Sequence, residues 1–273
     1  MRLDVQVRQG KRIVPDLAKE DFVILDEGRP QSAAYFNRET EPLTLLLLLD
    51  VSGSMSKHIK DMSKTASQAL KVLRAGDQVG IMVYGRRSRL HFAISGNFEE
   101  AAARIRTAAE NDYVGAGTST NDAVVDAAQL LQKSAPAGRR AILVVTDNGG
   151  LNEKNPDEAV LAALYGADVV LNCIAVGKAS RPRPMRPDQN PDYTPTDVFR
   201  LAEESGGEAL KADRADESFR PMMERIRTRY AIAYGAPGGT AGQFRKVAVE
   251  LSAAAKKRLP GAAVLARRGY YVR

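Results

Sequence analysis

The stretch from Leu43 to Met55, Leu-Thr-Leu-Leu-Leu-Leu-Leu-Asp-Val-Ser-Gly-Ser-Met, limits what this chain can fold into more than any other. A nearly unbroken apolar run that stops at a carboxylate has the pattern of a strand buried on both faces of a parallel sheet. Asp50, Ser52 and Ser54 then set a carboxylate and two hydroxyls at alternate positions on one short loop, with Gly53 between the serines to let the backbone turn. The period changes at once, because Met55, Ile59, Met62, Ala66, Leu70 and Leu73 recur at spacings of three and four, so the loop opens a helix. Strand, oxygen-rich loop and helix together make half of a ligand site.

The pattern repeats further along. Gln78 to Tyr84 and Arg89 to Ser95 read as a hairpin, Asn97 caps a helix reaching about Ala109, and a polar loop over 111–121 leads into a helix carrying Val124, Ala128 and Leu131. Ala141 to Val145 is a second short apolar run, ending at Thr146-Asp147, and Val169 to Val176 is a third. Asn155-Pro156-Asp157-Glu158 starts a helix that Gly166 is expected to stop, and Thr196 to Glu204 forms another. Glu217 to Arg229 is the last helix expected, with Pro221 in its first turn. This alternation from 43 to 229 predicts an α/β fold, a doubly wound, mostly parallel sheet with helices on both faces. Leu3, Val5 and Val7, Phe22 to Leu25 and Ala33 to Phe36 at one end, and Tyr230 to Tyr234, Phe244 to Leu251, Ala262 to Ala266 and Tyr270 to Val272 at the other, read as strands. They have only each other to pack on, so a small β-sandwich is expected from residues 1–40 and 230–273, with the α/β domain, 41–229, inserted into it.

A chain of 273 residues buries ~70–75% of its extended surface, enough for both units. Its one cysteine, Cys173, sits inside the third apolar run and reads as packed core rather than part of a disulfide framework. The net charge of +7 suits an acidic partner, but the cations are spread along the sequence. The start at Met1-Arg2 lacks the pattern of a secretory signal and Leu43 to Leu49 is too short to cross a bilayer, so a soluble polypeptide without membrane insertion is expected.

In a doubly wound sheet the ligand crevice lies at the carboxyl ends of the strands, where the winding reverses. Asp50 and Asp147 both end such strands, and Gly115-Ala116-Gly117-Thr118 is the expected third contributor. Magnesium takes six hard oxygens, keeps waters and accepts few carboxylates, a demand that two aspartates and the hydroxyls of Ser52, Ser54 and Thr118 meet. Manganese and calcium are the alternative ions. A cation with so few anionic ligands stays electrophilic and draws a carboxylate from outside.

These residues resemble the von Willebrand factor A domain, whose metal-ion-dependent adhesion site is Asp-x-Ser-x-Ser, then Thr, then Asp, matched here by Asp50, Ser52, Ser54, Thr118 and Asp147. The likeness covers about 43 to 229, including Leu-Ala-Glu-Glu-Ser-Gly-Gly at 201–207. The flanks, with Glu20-Asp21-Phe22 and Arg268-Gly269-Tyr270, are similar to bacterial VWFA-related proteins best known from Acidobacteria. The resemblance implies a Rossmann-like sheet of order 3-2-1-4-5-6 with hydroxyls on the metal and aspartates often acting through water. It also implies a protein ligand supplying a carboxylate, and a secreted, periplasmic or cell-surface location. One departure is Asn148, where the family usually has Gly.

Other chemistries lack their parts. Gly115-x-Gly117 has no third glycine, no phosphate loop is present, and Ser52 stands where an aspartyl phosphotransferase needs an acid. His58 and His91 are the only histidines; His58 reads as a helical surface residue, and no base stands near a nucleophile, so no enzyme and no small-molecule substrate are expected. Lys178, Arg181, Arg183 and Arg186 follow a strand's carboxyl end with no acid before Asp188, and are expected either to steer an acidic partner or to form a plain solvated loop. Arg86, Arg87, Arg89 and the basic tail from Lys256 read as solvated charge. The conclusion is a metal-dependent adhesion or protein-interaction module. A scaffold subunit of a larger complex, or in another class a nucleic-acid binder using these cations, stays open as the alternative.

Overall fold

The computed structural model describes residues 1–38, 41–108, 110, 114–135, 138–152, 154–183 and 194–272. Six strands form the central sheet: β1 (Leu43–Asp50), β2 (Gln78–Tyr84), β3 (Ser88–Ser95), β4 (Arg139–Thr146), β5 (Val169–Val176) and β6 (Ala209–Ala212). Their spatial order is β3-β2-β1-β4-β5-β6, all parallel except β3, which pairs antiparallel with β2. The winding therefore reverses between β1 and β4, the two strands that lead into Asp50 and Asp147.

The helices are α1 (Ser56–Leu70), α2 (Phe98–Ala108), α3 (Thr120–Ser134), α4 (Asp157–Ala167), α5 (Val198–Ser205), α6 (Ala215–Arg227) and α7 (Ala253–Arg258). Strand period two explains why β1 has no polar face. Leu43, Leu45, Leu47 and Leu49 enter the core beneath α1, α2 and α6, while Leu46 and Leu48 enter the opposite core with α3, α4 and α5. Cys173 is buried in that second core, where burial alone raises its thiol pKa far above the ordinary value.

Both chain ends build the expected sandwich. One sheet runs Ala262–Leu265, Arg2–Gln9, Tyr230–Tyr234, Ala33–Arg38, and the other Gly269–Tyr271, Phe244–Leu251, Phe22–Asp26, Arg29–Gln31. Leu3, Val5, Val7, Ile24, Ile232, Val247 and Val249 fill the space between them. Asp26, fully buried there, accepts from Tyr234 Oη (2.7 Å), Tyr270 Oη (2.8 Å) and Arg245 Nη2 (2.6 Å).

Four local expectations need correction. Helix α4 runs past Gly166 and ends at Asp168, which takes the left-handed conformation (φ 56°) and binds Arg267 at 2.7 Å, so an ion pair holds the cap that glycine was expected to supply. Pro156 itself caps that helix, one residue later than Asn155. Helix α6 begins at Ala215, which puts Pro221 in its interior; Pro221 is on the exposed side, while Phe219, Met222, Met223 and Ile226 bury the other face. The C-terminal segment is not all β, because Ser252 accepts from Ala255 N (3.3 Å) and starts α7 in a run of good helix formers. Arg29–Gln31 forms a short strand after a tight turn with positive φ at Glu27 and Gly28.

Candidate metal centre

The loop after β1 is set by the strands on either side. Val51 N donates to Tyr84 O (2.9 Å), and Met55 N donates to Ser52 O (2.9 Å) in the 3₁₀ turn Gly53–Met55 that precedes α1. Asp50 is fully buried. Its Oδ1 accepts from Ser52 N (3.0 Å) and its Oδ2 from Thr146 Oγ1 (2.8 Å) at the end of β4. The hydroxyls of Ser52 and Ser54 lie 3.3 Å apart at the lip of the loop. Burial drives the Asp50 carboxyl above the usual carboxylate range and the neighbouring Asp147 charge adds to this, against the bonds from Ser52 and Thr146.

Asp147 lies one residue beyond β4, and its Oδ1 accepts from Gly149 N (3.1 Å). Thr118 forms no hydrogen bond to Ser52 or Ser54 among the described residues. Its link to the site is backbone packing: a Cβ at Gly150 would overlap the Thr118 carbonyl oxygen, so only glycine lets the Asp147 loop lie against the Thr118 loop. Ser119 N donates to Gly85 O (2.8 Å), fixing the Thr118 loop to the end of β2. Asp50, Ser52, Ser54 and Asp147 thus stand together around the switch point, with Thr118 on the adjoining loop.

Asn148 is in the left-handed conformation (φ 55°), which explains why glycine suits this position and why asparagine is a workable replacement. Its N–H donates to Thr146 Oγ1 (3.0 Å) and its Nδ2 to Ser180 O (3.0 Å), joining the Asp147 loop to the segment after β5.

The polar residues beneath the loop are not marked as part of a site by the sequence alone. Thr146 bonds both Asp50 and Asn148, while the buried Tyr84 hydroxyl lies 3.2 Å from Thr120 Oγ1 at the start of α3. Burial and the Asp50 charge push the Tyr84 phenol up strongly. Asn121 accepts from Thr196 Oγ1 (2.9 Å) and donates Nδ2 to Asp157 Oδ1 (3.0 Å), and Asn152 Oδ1 accepts from Asn121 N (2.9 Å). A polar residue where an apolar run ends was the available signal for Thr146; Asn121 and Asn152 gave none.

The basic loop differs from its expectation. Arg181 pairs with Glu203 (2.5 Å) and Asp197 (3.4 Å) and sits 5.8 Å over the Phe199 ring, so its charge is neutralised by α5 and its N-cap. Lys178 and Arg183 are exposed, and Arg186 lies outside the described residues. His58 is half-buried, with Nε2 3.9 Å from where a Cβ on Gly177 would be.

No group of three or more His, Cys, Asp or Glu side chains that could hold a metal exists among the described residues. An ion here would depend on hydroxyls, the oxygen-rich and carboxylate-poor donor set that a hard cation accepts. The donor set fits a divalent ion for a further reason: among the described residues the buried Asp50 charge has no cationic partner.

A doubly wound sheet with an oxygen-rich loop at its switch point defines the class of Rossmann-like α/β domains. Residues 45–150 match the family model of the von Willebrand factor type A domain, and the chain contains such a domain. The fold is shared with an aerotolerance-related membrane protein from Bacteroides fragilis (17% identity over 67% of this chain and 98% of that one, TM-score 0.51). It is also shared with a von Willebrand factor type A protein from Catenulispora acidiphila (12% identity, 99% and 73% covered, TM-score 0.50). Proximal thread matrix protein 1 from the mussel byssus, solved with zinc in its MIDAS motif, is a third (12% identity, 73% and 49% covered, TM-score 0.55). No curated protein matches the chain. Domains of this family are generally interaction modules rather than enzymes.

Proposed function

We propose that the protein is a metal-ion-dependent interaction module that captures an acidic protein ligand through a divalent cation held by Asp50, Ser52, Ser54, Thr118 and Asp147. One observation carries this reading. Among the described residues five acids are buried, and four of them face an arginine: Asp21 with Arg258 (2.7 Å), Asp26 with Arg245 (2.6 Å), Asp77 with Arg227 (2.9 Å) and Glu208 with Arg225 (2.6 Å). Asp50 is the fifth and has no ion pair among the described residues, only the repulsion of Asp147. A buried charge without compensation costs several kcal/mol, and a bound cation removes that cost.

The chain's own residues divide the work. Thr146 and Ser52 N orient Asp50, Gly149 N orients Asp147, and the paired serine hydroxyls face the opening. A magnesium ion at this position supplies an open coordination site for an external carboxylate. The role needs neither a base nor a nucleophile. By resemblance alone, the module is assigned to the cell envelope or beyond.

Titration calorimetry with magnesium, manganese and calcium tests the reading. Uptake of one ion is expected, reduced at least about tenfold in affinity by Ser52→Ala with Ser54→Ala. Absence of uptake for all three ions overturns it.

A further inference from the structure

Beside the Thr118 loop lies an open cleft of about 610 Å³ lined by Arg86, Arg87, Gly115, Ser119, Asp122 and Lys154, among others. That volume is within the range of sites that take several groups of a ligand rather than one ion. Three of these six residues are cationic and one is acidic. Asp122 accepts from Asn155 Nδ2 (2.7 Å) and forms no ion pair among the described residues. Many exposed arginines elsewhere are neutralised: Arg200 by Glu158, Arg214 by Asp216, Arg220 by Glu224 and Arg268 by Glu204. The Arg87 and Lys154 side chains have no such partner among the described residues, and both are exposed.

The cleft is built into the site. Arg86 Cβ lies 3.5 Å and 3.6 Å from where a Cβ on Gly115 or Gly117 would sit, and Arg87 N donates to Val114 O (2.9 Å). Both backbones are therefore fixed to the loop that presents Thr118. Along the sequence Arg86 and Arg87 read as ordinary solvated charge; their placement between the end of β2 and the Thr118 loop gives them a direction.

We infer that the ligand is a polyacidic polypeptide segment, with one carboxylate directed to the metal loop and its neighbouring acids seated in the Arg86–Arg87–Lys154 cleft. The inference rests on the metal-dependent reading above and adds the partner's chemistry to it. Guanidinium groups match carboxylates as planar forks, which suits acidic side chains. The described lining has no aromatic side chain, so among the described residues the cleft offers charge rather than the stacking surface on which single-stranded nucleic acid relies.

The test uses the full chain and two labelled peptides of equal length, one with a single Asp in a Gly/Ser background and one in which that Asp is followed by Glu residues. Binding is measured by fluorescence anisotropy in magnesium and in EDTA, with a single-stranded oligonucleotide of equal charge as competitor. In magnesium the polyacidic peptide is expected to bind about tenfold tighter than the single-acid peptide, as two partly exposed ion pairs predict. Arg87→Gln with Lys154→Gln should bring that ratio to about one, and Lys154→Glu alone should lower it, both with unchanged circular dichroism. A ratio indifferent to these substitutions, no binding of the polyacidic peptide, or an oligonucleotide that displaces it more strongly than unlabelled peptide overturns the inference. Loss of magnesium dependence with a preserved, substitution-sensitive ratio defeats the metal reading while upholding the acidic cleft.

Discussion

If Asp50 is a buried charge waiting for a cation, replacing it should behave unlike replacing any other buried acid. Asp77 provides the reference. Its carboxylate accepts from Leu43 N (2.9 Å), Arg74 N (2.8 Å) and Arg227 Nε (2.9 Å), and the Arg227 side chain is only 4% exposed. Asp77→Asn leaves that guanidinium without its counter-charge, so a loss of about 3–5 kcal/mol is expected. Asp50→Asn removes a charge that no arginine or lysine among the described residues balances. Two hydrogen bonds to an anion are weakened, a loss of about 1–3 kcal/mol, while burial of the charge and the Asp147 repulsion are relieved by a comparable amount. In EDTA at neutral pH the net change should therefore stay within about 1 kcal/mol. Urea unfolding followed by circular dichroism reads both. Magnesium at about 100 times its dissociation constant should then add about 2.7 kcal/mol to the wild type and to Asp77→Asn, and nothing to Asp50→Asn. If Asp50→Asn proves as destabilising in EDTA as Asp77→Asn, the fold already compensates this charge and the case for a cation fails.

Two further outcomes follow from single contacts. Asn148→Ala keeps the left-handed backbone at a cost of about 1 kcal/mol and loses the bond to Ser180 O, so urea unfolding should show a loss of about 2 kcal/mol, whereas Asn148→Gly should stay within about 1 kcal/mol of the wild type. Burial works to raise the Asp26 carboxyl, but hydrogen bonds from Tyr234, Tyr270 and Arg245 hold it below the usual range. A depressed carboxyl contributes stability that is present above its unfolded pKa of about 4 and is lost as pH falls through the folded value. Asp26→Asn should therefore flatten the acid limb of a stability–pH profile measured by urea unfolding between pH 2 and 6, all values about neutral or below; an unchanged limb would assign it to other acids.

Much of the α/β unit was legible because burial on two faces leaves a strand few polar positions. The leucines of β1 and the run Val169 to Val176 announce themselves for that reason, and the Asp-x-Ser-x-Ser loop follows a strand that could be placed with its exit. Where long-range contacts choose the outcome, the local signal failed. Gly166 is the usual stop signal, but Arg267, about a hundred residues away in sequence, binds Asp168 and lets the helix run on. Pro221 is tolerated inside α6 because its neighbours bury Phe219 and Met222 against the sheet, a fact with no trace in the residues beside it. Arg181 looked unpaired along the chain because its acids, Asp197 and Glu203, come from the next helix and its cap. Thr146 and Tyr84 matter only because β1, β2 and β4 lie side by side.

The sandwich and the candidate metal centre occupy opposite ends of the parallel strands, and this separates stability from binding. Arg139, the first residue of β4, donates Nε to Asp4 Oδ2 (2.7 Å) in the sandwich and its other nitrogens to the carbonyls of Ile226 and Arg227. Arg229 meets the same carboxylate at 2.5 Å. Thr146, which holds Asp50, is the last residue of that strand, about 23 Å away at about 3.3 Å per residue. Burial tends to raise the Asp4 carboxyl, yet the two guanidinium groups keep it below the usual range, while burial pulls Arg229 below its own usual value, so this ion cluster ties the two units together at a desolvation cost that only the intact set of charges offsets. Asp4→Asn leaves two buried arginines facing each other and should cost about 3 kcal/mol by urea unfolding. Because β4 is hydrogen-bonded along its length on both sides, the loss should not travel to its far end, and magnesium affinity by calorimetry should change less than about twofold. A variant that keeps its stability but loses the metal would show the opposite arrangement, in which the sandwich acts on the ligand face through the strand rather than anchoring its base.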